Sequence, residues 1–344
     1  MKHIQSKSIL LGLCFAALLV TAIISMGLFD SKTALAETTS ISVETDPVFW
    51  DPENPTDMKA GALTFIGGLE LSSNHPDFGG LSGLIIGATG DAFIAVSDQG
   101  NWVTADLISE ADRPISLGDV LISPIMGTDS MPLSGKRNTD AESLTVAFGS
   151  DPRTSATIVG FERRHRMRSY DLTSLGFDAP ATSVKDFGMF EDLENNGGLE
   201  AIAYLPDGSL LALSEKTFDD DGYIIGARLT NEGAMPVRLR QHLPFVLTDI
   251  DVLPSGDLIT LERDFSAMAG VSMMMRRIPA TTLESDEPLD GEVLIRANNS
   301  RSIDNMEGLS TRQTADGKTL LYLISDDNFS PLQRTLLLVF TLND

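Results

Sequence analysis

The sequence predicts an all-β chain folded as a β-propeller, and three observations point there. One plan recurs five times: a small or acidic residue, a short apolar strand, a turn, a second apolar strand and a polar end. Its leading positions, Ser82, Glu142, Glu200, Asp249 and Glu307, lie 60, 58, 49 and 58 residues apart, a period that suits propeller blades of short strands and Gly-rich turns. No long amphipathic helix separates the repeats, so an α/β reading fails.

The first 36 residues stand outside the repeats. Lys2 and Lys7 precede an apolar run from Ile9 to Leu28, and Ala34-Leu35-Ala36 follows. This is the order of a secretory signal peptide, with cleavage expected after Ala36. The run is also long enough to span a bilayer, so an uncleaved anchor stays open as the alternative. Leu13 before Cys14 does not suit lipoprotein processing, and residues 1–36 contain no twin arginine. The expectation is a periplasmic or secreted protein with no stable membrane insertion once the leader is removed.

The mature chain from Glu37 has no cysteine, so its core or bound ions must stabilise it in an oxidising compartment. The whole chain carries −24; removing 1–36 takes away three lysines and one aspartate and leaves −26. Such an acidic body excludes nucleic acid and anionic membranes as natural partners. It suits solubility, or cations gathered by carboxylates.

The five repeats run in order through 79–102, 140–166, 197–216, 247–265 and 305–329. About 300 residues divided by a period of roughly 50 gives six blades. The sixth would be shared between "ALTFIGGLEL" (62–71) and "TLLLVFTL" (335–342), which would pair and close the ring. Residues 178–196 read as outer strands and loops, so 37–344 are expected to form a single domain. Met273, Met274 and Met275 read as a core or loop patch.

Residues equidistant from a two-residue hairpin turn face each other. A turn at Asp207-Gly208 sets Glu200 opposite Glu215. A turn at Ser255-Gly256 sets Asp249 opposite Glu262, and one at Asp316-Gly317 sets Glu307 opposite Asp326. Asp98 falls near Ser82, and Glu162 near Glu142. Taken singly, each pair reads as a solvated strand end. Repeated at the same end of successive blades, the pairs would converge on one mouth of the central channel. Carboxylates packed that way repel unless protons or a cation compensate them. Ca²⁺, with six to eight oxygen ligands, suits such a ring; the His and Cys ligands of zinc are missing. The expected ligands are Glu142, Glu200, Asp249, Glu307 and Asp326, with Glu215 or Glu262 as general base.

Against this acidic background, "FERRHRMRSY" (161–170) concentrates arginines. Arginine forks recognise phosphate and carboxylate. Arg163, His165 and Arg263 are therefore the expected substrate-binding residues, with pairing to neighbouring carboxylates as the open alternative. If the stretch is extended, only one of its faces can meet the channel. No G-x-S-x-G elbow occurs, and "DDDG" (219–222) lacks the spacing of an EF-hand loop.

"GLSGL…AVSDQGNW", "DAESL…GFERRHR", "GGLEAIAYLPDG", "LTDIDVLPSGDLITLERDF" and "EGLS…YLISDDNF" occur in that order. Together they resemble the bacterial esterase-like phytase family from about Gly79 to Leu342. The resemblance implies an exported propeller with hydrolase activity proposed to rest on recurring acids. By motif these are Glu142, Glu162, Glu200, Glu262, Glu307, Asp326 and Asp327. The resulting expectation is an exported, Ca²⁺-dependent, monomeric hydrolase of small anionic phosphate esters, phytate-like or phosphodiester, that uses activated water. A carboxylic-ester or lactone hydrolase of paraoxonase type stays open, as does a non-enzymatic, calcium-stabilised envelope protein.

Overall fold

The computed structural model describes residues 37–343 apart from Thr154, Asp192 and Glu194. The expected leader at 1–36 lies outside them. Among the described residues no helix is long and apolar enough to cross a membrane. The chain builds five antiparallel sheets, and each sequence repeat supplies the first two strands of one. The first strands are Leu81–Ile86, Ala141–Val146, Leu199–Tyr204, Val246–Val252 and Asn305–Gln313. They touch one another in cyclic order around the axis, the last meeting the first. The blades, numbered 1 to 5 in that order, thus form a β-propeller.

The expected count of six is corrected to five. The terminal segments do pair, from Thr335 with Leu71 to Leu342 with Leu63. They make no blade of their own. Thr335–Leu342 and Leu63–Ser72 are the third and fourth strands of the blade that Asn305–Gln313 begins, and Glu44–Val48 forms its outer edge. Loops and outer strands take up the remaining length.

Five apolar clusters hold the ring, one at each interface between neighbouring blades. Trp50, Phe65 and Phe340 pack edge-on or tilted between blades 4 and 5, joined by Met273 and Met275, both fully buried. Side chains on the inner strands also bond across the interfaces. Asp249 accepts from the amide of Leu309 at 2.7 Å, Asp251 from that of Thr311 at 2.6 Å, and Ser310 from that of Ile86 at 2.9 Å.

The hairpin register departs from the expected one in two places. In blades 3, 4 and 5 the loop has three residues, closed by Leu205 with Ser209, Leu253 with Asp257 and Thr314 with Lys318. The third loop residue, Gly208, Gly256 or Gly317, has φ near +85°, the left-handed conformation that such loops require. At the far end of all five hairpins a β-bulge inserts one more residue into the first strand. Glu215 therefore meets Gly198, Glu262 meets Leu247 and Asp326 meets Asn305. The facing pairs expected from the sequence do not form.

Asp249→Ala would leave the buried amide of Leu309 without its acceptor. A loss of about 1–3 kcal/mol in chemical denaturation is expected; an unchanged midpoint would show that this bond contributes nothing to blade closure.

Candidate metal and active site

The bulges build the site. The inserted residues are Ser82, Glu142, Glu200, Thr248 and Glu307, one per blade. An inserted residue re-aims its side chain, and the three glutamates line one cavity of about 940 Å³. A second tier comes from the end of each second strand: Asp98, Glu162, Glu215, Arg263 and Asp326. All five line the same cavity. Blade 4 breaks both tiers, with Thr248 where three other blades have glutamate and Arg263 where the others have an acid.

That break moves two expected residues. Asp249 lies one place past the bulge, and both its oxygens accept backbone amides, of Ile250 and Leu309. Glu262 lies one place before Arg263. Its Oε1 accepts from Thr260 at 2.7 Å and from Nε of the fully buried Arg276 at 2.6 Å. Neither lines the cavity. In "LTDIDV" the inserted residue is Thr248, one place before Asp249, and in "ITLERDF" the residue that lines the cavity is Arg263, one place after Glu262.

Arg163 and Arg263 do reach the cavity, and His165 does not line it. Residues 162–165 form a tight turn rather than extended chain, with Arg163 at φ 56°. Arg163 pairs with Asp140 at 2.5 Å, while Arg166 turns to stack on Phe161 at 4.0 Å. The His165 ring lies where a Cβ on Gly198 would fall, and its Nδ1 accepts from the amide of Leu199 at 3.3 Å. The amides of Gly197 and Gly198 both donate to Oε1 of Glu162. The doubled glycine thus brings the backbone of blade 3 against a carboxylate of blade 2.

Charge compensation is uneven. Among the described residues, nine carboxylates and six cationic side chains line the cavity. Lys136 pairs with Asp98 and Asp140, Lys216 with Glu215 at 2.8 Å, and Arg263 with Glu307 at 2.9 Å and Glu215 at 3.6 Å. Glu142 and Glu200 have no hydrogen bond or ion pair among the described residues. Glu200 is only 6% exposed. Carboxylate oxygens of Asp140, Glu142 and Glu162 lie within 4.8 Å of one another, as do those of Glu162, Glu200 and Glu215. Glu162, buried and common to both groups, is one of the acids that the family motif marks, whereas Asp140, buried in the first group, is signalled in the sequence only by its place beside Glu142.

Burial raises the pKa of Glu142, Glu162, Glu200, Glu307 and Asp326, and repulsion from neighbouring carboxylates adds to it. Glu200, with Glu215 and Glu142 beside it, and Glu142, beside Asp140 and Glu307, are held well above the ordinary carboxylate range. Burial and Glu307 push Asp326 up to about 8. Burial raises Glu307 to about 6, with Arg263 pulling it back. The oxygen-only donor set, dense and incompletely neutralised, fits a hard cation such as Ca²⁺.

Fold and site together define a propeller whose channel mouth is lined by acids. The chain belongs to the phytase-like family, described as esterase-like activity of phytase, whose model matches residues 76–329. No curated protein matches it in sequence. Two solved structures are similar to it, each at 11% identity. One is a structural-genomics target described as a gluconolactonase, with TM-score 0.44 over 90% of this chain and 93% of its own. The other is a gluconolactonase from Xanthomonas campestris, with TM-score 0.42 over 89% and 98%.

Two outcomes follow. Glu262→Ala would leave the fully buried Arg276 with Asp290 as its one carboxylate partner among the described residues and lower stability by about 1–3 kcal/mol, with calcium affinity unchanged in a titration. A loss of calcium affinity at constant stability would instead return Glu262 to the site. The second outcome concerns pH. Asp326 and Glu307 bind protons more tightly folded than unfolded, so their contribution is full below about pH 4 and is lost as pH rises through 6 to 8. In chelator, the melting temperature should fall across that window, and Ca²⁺ should flatten the fall by replacing protons. A melting temperature that rises from pH 5 to 8 in chelator would contradict this.

Proposed function

We propose that the channel mouth is the active site of a calcium-dependent hydrolase of ester substrates, phosphate esters foremost. One observation supports this above the others: Glu200 is buried and unpaired among the described residues, within ligand reach of Glu162 and Glu215. A carboxylate so placed gains from a cation what it lost in solvation. Glu162, Glu200 and Glu215 would hold the ion, with Glu142 alongside. This revises the ligand set read from sequence, since Glu307 and Asp326 stand on the blade 5 side and are better placed for proton transfer.

A bound Ca²⁺ would draw charge from the ester oxygen and acidify a neighbouring water. Arg263 and Arg163 orient the anionic group and offset charge that grows on it. Glu307, with its pKa near 6, is ionised at neutral pH and can take a proton from the attacking water. Asp326, with its pKa near 8, retains a proton there and can hand it to the departing alkoxide. Two acids with separated pKa values thus serve as base and acid. The fixed donors Gly197 and Gly198 keep Glu162 pointed into the mouth. In this reading the protein works outside the cytoplasm as a monomer, its chain starting at Glu37. Intact mass of the exported protein tests that start.

The activity test is a panel of phosphate monoesters and diesters, carboxylic esters and lactones, each run with Ca²⁺ and with chelator. Phosphate-ester turnover that chelator abolishes is expected. Glu200→Gln should lower kcat/KM about a hundredfold or more. Turnover confined to carboxylic esters or lactones would reassign the reaction at the same residues. A calcium-dependent rise in melting temperature with no turnover of any ester would leave a binding propeller and end the enzymatic reading.

A further inference from the structure

The cavity has two unlike halves. Blades 2 and 3 supply Glu142, Glu162, Glu200 and Glu215 with their cations. The end of the second hairpin of blade 4 supplies Phe265 and Val271, and the loops before and within blade 5 supply Ile303 and Leu332. Ile303 belongs to the buried core between those two blades, and Val271 packs against it, so the apolar wall is that core reaching the cavity. Phe265 and Leu332 extend the wall outward and are 64% and 91% exposed. The arginines on this side are already committed. Arg301 pairs with Asp51 and, at 3.8 Å, Asp57; Arg334 pairs with Glu70 at 3.5 Å and Asp304 at 3.7 Å.

We propose that the substrate is amphipathic: its ester head sits over blades 2 and 3, and a neutral aryl or alkyl group lies against Phe265, Val271, Ile303 and Leu332. This rests on the hydrolase reading for the head group and goes beyond it in naming what is attached. The wall offers apolar area and no spare cation, so it favours a hydrocarbon tail over further phosphates. A polyphosphorylated ring would place several anions where only already-paired arginines wait, beside nine carboxylates. Covering two exposed apolar side chains with the tail gives the binding gain, in proportion to the area removed from water.

Binding of phosphonates that cannot be turned over separates this proposal from the reaction. Benzylphosphonate and methylphosphonate are titrated calorimetrically into the calcium-loaded full chain and into Phe265→Ser/Leu332→Ser. Both replaced side chains are exposed, so the fold and the calcium-induced rise in melting temperature should persist. The benzyl ligand is expected to bind at least about tenfold more tightly to the natural chain, an advantage of the order of one partly buried aromatic side chain. The double variant should lose that advantage and keep its affinity for methylphosphonate. Equal affinities, an advantage that survives in the variant, or no binding of either ligand would overturn the proposal. If the advantage is present but no ester is hydrolysed, the hydrolase reading fails and the apolar subsite stands.

Discussion

A β-bulge at the head of every inner strand inserts one residue into the channel mouth, and in three of the five blades that residue is glutamate. With the acids that end the second strands, these glutamates crowd into one partly buried space. Like charges that close cannot all remain ionised without compensation. Burial multiplies the cost, because the solvent that would screen them is excluded. Much of what distinguishes this end of the molecule answers that repulsion: lysines and arginines drawn in from the rim, raised pKa values, and backbone amides turned toward Glu162.

Blade 4 is where the near-symmetry yields. Thr248 replaces a glutamate and spends its hydroxyl on the backbone of Leu261 and Met306, at 3.2 Å each. Arg263 replaces an acid and reaches Glu307 of blade 5 and Glu215 of blade 3. Four blades therefore gather negative charge, and the other sets a guanidinium among it. That asymmetry gives the mouth a direction: a side lined by acids, and a side that carries a guanidinium. The acids displaced by it, Asp249 and Glu262, are not idle. Asp249 accepts two backbone amides, and Glu262 accepts from Thr260 and the buried Arg276, so each serves the packing of blade 4.

The sequence announces the propeller because its period and turns repeat, and five leading residues mark five blades. Chain length divided by the period overstates the blade count, because "ALTFIGGLEL" and "TLLLVFTL" complete the last blade instead of forming one of their own. The convergence of Glu142, Glu200, Glu215, Glu307, Asp326, Arg163 and Arg263 on one cavity could be read from their place at hairpin ends. Their opposition could not. A three-residue loop at one end and a bulge at the other each shift the register by one residue, and neither has a side-chain signature strong enough to read. The errors at Asp249 and Glu262 have that same origin, as two acids stood one residue from the positions that matter. His165, expected from sequence to bind substrate, is instead folded onto Gly198 by the tight turn at 162–165.

Glu200, buried and unpaired among the described residues, is proposed to hold a cation together with Glu162 and Glu215. Anomalous scattering from crystals grown with calcium would locate that ion. The expected result is an anomalous peak bounded by oxygens of those three residues. A mouth without a peak at saturating calcium, or a peak held by Asp249 or Glu262 instead, would contradict it.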